Sequence, residues 1–257
     1  MKGFTMILTN EKCYICGQMA EFSIENNATL LREAQCNYCK ASIRNSDLAK
    51  ILVKSILGKN ASLLETFTEF KDLKIIEAQS SGLIHFFMKH LPQYEAFEYF
   101  DGIPVGQKHN GVICNNLESL SYESNTIDVI ITQDVIEHVA DPLKAFGEIQ
   151  RVLKKGGSHI FTIPLHEGRT TQSRVGKMKV FHGDPIRQEG ALVYTDWGDD
   201  IISIIESIGM NTEIFYEHIF YKPEEITNVD NDFLQYVLLS PVNYFKYNSV
   251  VLISQKV

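Results

Sequence analysis

No apolar run in this 257-residue sequence approaches the ~20 residues that a membrane-crossing helix requires. The opening MKGFTMILTNEKC also lacks a long apolar core followed by a small-residue cleavage site, so the chain reads as cytoplasmic, without a membrane partner. An excess of positive charge is missing as well: 24 Lys and Arg stand against 32 Asp and Glu, a net charge of −8, and the basic residues are scattered. That balance argues against a broad electrostatic footprint for nucleic acid. Internal repeats and low-complexity stretches are absent too. What remains is a globular chain whose length and 44% hydrophobic content suit one sizeable α/β domain and a small appendage.

Cysteine is scarce, but its placement is not random. Four of the five cysteines form two knuckles, Cys13-Tyr14-Ile15-Cys16 and Cys36-Asn37-Tyr38-Cys39, separated by residues 17–35, the spacing of a zinc ribbon. In a reducing compartment such pairs point to metal ligation rather than to disulfides, and a redox pair would need only one knuckle at a helix start. Two CxxC turns bring four thiolates to one point and complete a closed tetrahedral site with Zn–S near ~2.3 Å. A closed site has no open coordination position, so the expected Zn2+ serves folding and not catalysis. The module, residues 1–45, carries Lys2, Lys12, Arg32, Lys40 and Arg44 against Glu11, Glu21, Glu25 and Glu33, with no stripe of basic and aromatic residues that would favour nucleic acid. Cys114 lies in an apolar stretch and reads as a buried small hydrophobe.

Residues 46–72 read as linking helices: Ser46–Leu57, with Ser46 or Asp47 as cap, and a shorter one over Ser62–Phe70. From residue 73 to 257 strands and helices alternate, with strands predicted at Leu73–Glu77, Tyr94–Phe100 and Val112–Asn115 and a helix at Ser81–His90. The stretch Leu120–Pro164 is the most informative. Ile127, Val129, Ile130 and Ile131 form a β-branched run suited to a strand covered on both faces. Asp141-Pro142 supplies an N-cap and a proline at the first helical position; Leu143, Phe146, Ile149, Val152 and Leu153 share one helical face. Lys154-Lys155 suit the negative helix end, Gly156-Gly157 predict its stop, and His159–Ile163 begin the next strand. Asp199–Ile208 reads as the last helix, stopped by Gly209, and Thr212–Tyr216 and Ser249–Ser254 as late strands.

Three segments of this stretch, in order, resemble class I S-adenosylmethionine-dependent methyltransferases of the type 11 kind. These are Asp128 with its flanking isoleucines, Asp134–His138 (DVIEH) and Arg151–Gly157 (RVLKKGG). The resemblance implies a Rossmann-like α/β fold: a seven-stranded, mostly parallel sheet closed by an antiparallel C-terminal hairpin. It implies S-adenosylmethionine as cofactor and S-adenosylhomocysteine as product. Glu77 would be the acid ending strand one, followed by Ala78-Gln79-Ser80-Ser81-Gly82 where that family has a glycine-rich turn. Only Gly82 remains there; Ala78 and Ser80 preserve room, while Gln79 and Ser81 do not adopt positive φ cheaply. Glu98, with Asp101 as a substitute, would accept the ribose hydroxyls, Asn116 and Leu117 would meet the adenine, and Gln133 and Asp134 would lie beside the sulfonium.

For the methyl acceptor, His138 is the nearest base from the matched motif, although a histidine at a helix entry also packs or caps. The polar stretch from about 166 to 198 follows strand five at the carboxyl end of the sheet, where a substrate lid is expected. Within it, His182-Gly183-Asp184 and Tyr194–Gly198 resemble a segment of ribbon-bearing methyltransferases, so His182 or Asp184 is expected at the acceptor. The resulting expectation is methyl transfer to a polar small-molecule or glycan-type acceptor. Two alternatives stand beside it: a non-catalytic binding protein on this scaffold, suggested by the sparse glycine turn, and a ribbon that docks onto protein or RNA.

Overall fold

The computed structural model describes residues 4–25, 30–184, 186–226 and 246–257. The N-terminal module is a three-stranded antiparallel sheet of β1 (Phe4–Lys12), β2 (Met19–Glu25) and β3 (Gln35–Cys36). Each cysteine knuckle follows a strand and turns on a residue with positive φ, Gly17 at 79° and Lys40 at 64°, which folds the chain back so that Gly17 N–H bonds the Cys13 carbonyl and Lys40 N–H that of Cys36.

Helix α1 (Ile43–Leu57) begins before the predicted Ser46, because the cap is Ser42, whose hydroxyl accepts from Asn45 N–H at 3.1 Å. The two expected caps are interior instead. Ser46 Oγ accepts from Tyr14 N–H at 2.9 Å, and buried Asp47 lies 2.9 Å from His218 Nδ1. One helix thus ties the ribbon to the C-terminal hairpin. The second linker is α2 (Leu63–Thr66), closed by a Ser62–Glu65 capping box and extended by a 3-10 turn.

The main sheet is built from β4 (Ile75–Glu77), α3 (Gly82–Met88), β5 (Tyr94–Glu98), β6 (Lys108–His109), β7 (Val112–Cys114), β8 (Ile127–Gln133), α4 (Pro142–Val152) and β9 (Leu153–Thr162). The lid segment follows as short strands β10 (Leu165–His166), β11 (Gln172–Ser173), β12 (Phe181–His182), β13 (Ala191–Leu192) and β14 (Thr195–Gly198), then α5 (Ile201–Glu206), β15 (Met210–His218) and β16 (Ser249–Lys256). Strand order is β15-β16-β9-β8-β4-β5-β7-β6, parallel from β9 to β7 and antiparallel at both edges. Seven strands were expected; the eighth, β6, pairs with β7 as an edge hairpin. The late antiparallel hairpin is as predicted. Among the described residues no helix is long and apolar enough to cross a membrane.

Two details of the central unit differ from expectation. Asp141 caps α4 as predicted, its carboxylate accepting from Lys144 N–H at 3.1 Å, but the buried stripe is Ala145, Phe146, Ile149 and Val152, while Leu143 is 56% exposed. The helix ends at Val152, where Leu153 turns extended to pair with Ile127, so Gly156-Gly157 do not stop it. They form a bulge inside β9, across which the register jumps from Ile127/Leu153 to Val129/Ser158. Lys154 accordingly bonds both Asp128 oxygens at 2.8 Å rather than meeting the helix end. Arg151, on the last turn, grips Glu148 and the carbonyls of Leu120 and Tyr122, fixing the loop that enters β8.

A single apolar cluster runs from the ribbon (Cys13, Ile15, Phe22, Cys36) through α1 (Ile51, Leu52) into the sheet (Ile75, Val129, Ile160, Val251). A second fills the other face of the sheet around Phe146, Phe161 and Trp197. The sequence boundary near residue 45 is therefore crossed by packing.

Candidate functional site

A cleft of about 810 Å³ opens at the carboxyl ends of β4, β5, β7 and β8, the end at which open α/β sheets bind ligands. Of the residues singled out in the sequence, Ala78, Gly82, Glu98, Asp101, Asn116, Leu117, Gln133, Asp134, His138, His182 and Asp184 line it together. Glu77 and Ser80 stand behind that lining. Glu77 is fully buried, its two oxygens accepting from Tyr94 Oη at 2.7 Å and Gln133 Nε2 at 2.8 Å, and burial pushes its carboxyl up to about 8. Ser80 supports Glu98, donating to one carboxylate oxygen from its backbone at 2.7 Å and its hydroxyl at 2.9 Å.

Between Ala78 and Gly82, Gly82 alone takes positive φ, at 85°. The turn thus needs one left-handed residue, and its one glycine occupies that place. Asn116 closes an Asx turn, accepting from Glu118 N–H at 2.8 Å, and a second lone pair of that oxygen remains for another donor. Burial raises the Glu98 carboxyl above its ordinary range, opposed by the Ser80 bonds.

The wall opposite comes from the N-terminal module, which composition had marked only as charge-balanced. Leu30, Arg32, Arg44 and Asn45 all line the cleft. Arg32 Nη2 lies 2.6 Å and Arg44 Nε 3.6 Å from Asp134, which also accepts from Thr162 Oγ1 at 2.9 Å. Burial by itself would raise the Asp134 carboxyl, but the two guanidinium groups hold it well below the usual carboxylate range. Asp134 is also a non-glycine residue at φ 51°, a strained conformation fixed by these partners at a site-lining position. Asn45 Nδ2 donates to Gln133 Oε1 at 2.8 Å, so a chain of hydrogen bonds runs from α1 through Gln133 and Glu77 to Tyr94.

Residues of the segment expected to form a lid, among them Phe181, His182 and Arg187, line the cleft from a third side. Asp184 is engaged in its own loop: one oxygen accepts from Ile186 and Arg187 N–H, both at 2.7 Å, and the other from Arg187 Nη1 at 2.8 Å, so that its carboxyl lies below the ordinary range although burial opposes this. Arg187 then reaches the Tyr99 carbonyl at 2.7 Å, latching the loop onto the end of β5. Asp184 is thus bonded as a loop and latch residue while it also lines the cleft. His138 and His182 meet edge to face, with ring centres 5.2 Å apart, at the mouth of the same cleft. Beneath them sits fully buried Glu137, a member of the Asp134–His138 motif.

The four cysteine sulfurs also converge: Cys13 and Cys39 Sγ are 3.6 Å apart, Cys16 and Cys36 Sγ 4.0 Å, and all four lie within 4.8 Å of one another. A tetrahedron of thiolates at ~2.3 Å from one ion has edges of ~3.8 Å. The set therefore has the dimensions of a four-coordinate metal site and is too open for a disulfide.

Residues 102–161 match the family described as "Methyltransferase domain". Among curated proteins, the chain is 34% identical over 70 residues to an uncharacterised protein of Methanocaldococcus jannaschii, a match covering 27% of this chain and 31% of that one. It is also 34% identical over 61 residues to the glycine/sarcosine/dimethylglycine N-methyltransferase of Actinopolyspora halophila, covering 24% of this chain and 11% of that one. These matches thus span under a third of either relative. Among solved structures, the S-adenosylmethionine dependent methyltransferase of Mesorhizobium loti overlays with a TM-score of 0.44 at 10% identity, covering 76% of this chain and 95% of that one. The methyltransferase-domain match thus lies within a Rossmann-like α/β sheet, parallel at its centre and closed by an antiparallel C-terminal hairpin.

Proposed function

We propose that this chain transfers a methyl group from S-adenosylmethionine to a polar small-molecule or glycan-type acceptor, and that its four cysteines hold a structural Zn2+. The reading is carried by one observation: Ala78, Gly82, Glu98, Asn116, Leu117, Gln133 and Asp134, which the family resemblance assigns to the cofactor, come from four separate strand ends and line a single cleft together with His138 and His182. When bound, the cofactor supplies a methyl group on a sulfonium with a good leaving group built in. The chain's part is then to bind, orient and exclude water. Glu98, braced by Ser80, would accept the ribose hydroxyls; Asn116 and Leu117 would meet the adenine; the Ala78–Gly82 turn would leave room for the methionine part. Arg32 and Arg44 hold Asp134 ionised beside that end of the cleft, while Arg187 and Asp184 keep the lid closed over it. The ribbon supports the reading as a built wall of the cleft through Arg32, Arg44 and Asn45, which favours this role over an unattached docking module.

The test is calorimetric titration of the zinc-loaded chain with S-adenosylmethionine and S-adenosylhomocysteine. Binding of both is expected, weakened ~10-fold or more in Glu98→Ala, the loss of a charge-assisted pair of hydrogen bonds. Absence of heat with either ligand at millimolar concentration, from folded protein, would overturn the enzymatic reading.

A further inference from the structure

Glu137 is fully buried, and among the described residues neither carboxylate oxygen has a hydrogen-bond partner. An uncompensated carboxylate is among the costliest groups to bury, so this one calls for a positive neighbour. Arg44 exerts a favourable charge on it without a hydrogen bond; the groups within 4 Å are two imidazoles. His138 Nε2 is 3.6 Å and His182 Nδ1 3.8 Å from the same oxygen, Oε1, both beyond hydrogen-bond length. His138 Nδ1 lies 2.9 Å from the Leu192 carbonyl oxygen, which can only accept, so that nitrogen carries the proton. In the neutral imidazole its Nε2 then presents a lone pair toward a carboxylate oxygen. In that state two acceptors face each other.

A metal ion resolves that conflict. Donors at ~2.1 Å from one ion, at tetrahedral angles, are ~3.4 Å apart, within a few tenths of an ångström of the separations here. The three donor atoms all lie within 4.8 Å of one another. The Leu192 carbonyl fixes the His138 tautomer in the way that second partners of metal-bound histidines commonly do. We propose that Glu137, His138 and His182 form a site for a first-row divalent transition ion, separate from the four-cysteine cluster. Two imidazoles and one carboxylate suit Zn2+, Co2+, Mn2+ or Fe2+ better than the oxygen-only shells preferred by Ca2+ and Mg2+. Both histidines line the cleft, so the remaining coordination positions face the space where a ligand with oxygen donors would sit. His182 comes from the lid and Glu137 from the loop after β8, so the ion also clamps the lid, already joined there by the bond from Tyr194 N–H to the Glu137 carbonyl at 2.8 Å.

The proposal concerns metal binding and stands independently of methyl transfer. The full chain, stripped of metal under reducing conditions, is titrated with Co2+ and followed by absorption spectroscopy. Two equivalents are expected: one with intense thiolate charge-transfer bands, from the cysteines, and one with weak ligand-field bands only, from nitrogen and oxygen ligands. In His182→Ala and in Glu137→Gln the second equivalent should bind ~10-fold or more weakly while the thiolate signal persists, and that signal reports that each variant is folded. His182 sits in a short lid strand, so its variant decides the matter should the core substitution at Glu137 disturb folding. A wild-type chain that takes up one equivalent only, or a second equivalent bound equally well by His182→Ala, overturns the site.

Discussion

His159 is enclosed on every side: it stacks on Phe161 with ring centres 4.2 Å apart, and its Nε2 lies 2.9 Å from Thr132 Oγ1. Burial pushes its imidazole down to about 3 from an ordinary 6.5. Above the ordinary value both folded and unfolded states carry it neutral and no stability is at stake. As pH falls below that value the unfolded chain takes up a proton that the folded chain refuses, so stability declines by up to about 1.4 kcal/mol per pH unit until the folded value is reached. Urea unfolding at pH 7 and pH 5 should show this loss, and His159→Phe should reduce it; an unchanged difference between the two pH values would count against the account. Arg32 is the second such residue. Removing its side chain leaves Asp134 buried with Arg44 as its remaining cation, and Arg32→Ala should cost about 3 kcal/mol in denaturant titration, since one half of a largely buried ion pair is left behind. Arg32 had entered the sequence reading only as one charge among nine. Nothing in its own neighbourhood reveals a partner a hundred residues away.

At the scale of elements, the entry into β9 shows how local signals acquire meaning from neighbours. Two glycines after an amphipathic helix read as its stop; the Asp141 cap was found as predicted, but the helix ends at Val152 and the next strand begins at Leu153 rather than at His159. The glycines serve the strand instead. A Cβ on Gly157 would lie 2.9 Å from the Lys154 carbonyl oxygen and 3.1 Å from those of Asp128 and Ile127, whereas one on Gly156 would meet nothing within 4 Å, although its φ is 77°. Gly157→Ala should therefore destabilise by about 1–3 kcal/mol through a clash with unyielding backbone. Gly156→Ala should cost about 1 kcal/mol, through its left-handed conformation alone. Thermal melts of the two variants distinguish the causes, and equal shifts would show that the close approach at residue 157 is not limiting. Gly82 carries the complementary lesson. The turn after β4 appeared short of glycine when compared with its family pattern, yet the one position requiring positive φ is the one that has it.

For the whole molecule, the ribbon and the sheet share an apolar cluster, and Cys13 and Cys36 belong to it beside Ile75 and Val251. Loss of the proposed zinc should then weaken more than the first 45 residues. Chelation, or Cys36→Ser, is expected to remove stoichiometric zinc and to lower a single cooperative melting transition by several degrees, at ~2–4 °C per kcal/mol for a chain of this size. Two separate transitions, with the later one unmoved, would show instead that ribbon and sheet fold independently. The cleft should suffer with the ribbon, because Arg32, Arg44 and Asn45 form one of its walls.

By itself the sequence determined the things that depend on neighbours in the chain: the alternation of strands and helices, the Asp141 cap, the two cysteine knuckles, and the order of motifs around Asp128, Asp134–His138 and Arg151–Gly157. These follow from periodicity, capping and fixed spacing, which act over a few residues. Tertiary structure alone decided what each polar side chain faces. It set Glu77 and Ser80 behind the lining, engaged Asp184 with Arg187, carried Arg32 and Arg44 to Asp134, and brought His138 and His182 over the buried carboxylate of Glu137. The physical reason is that a carboxylate's chemistry is fixed by burial and by the charges within a few ångströms, and those charges came from chain positions far apart.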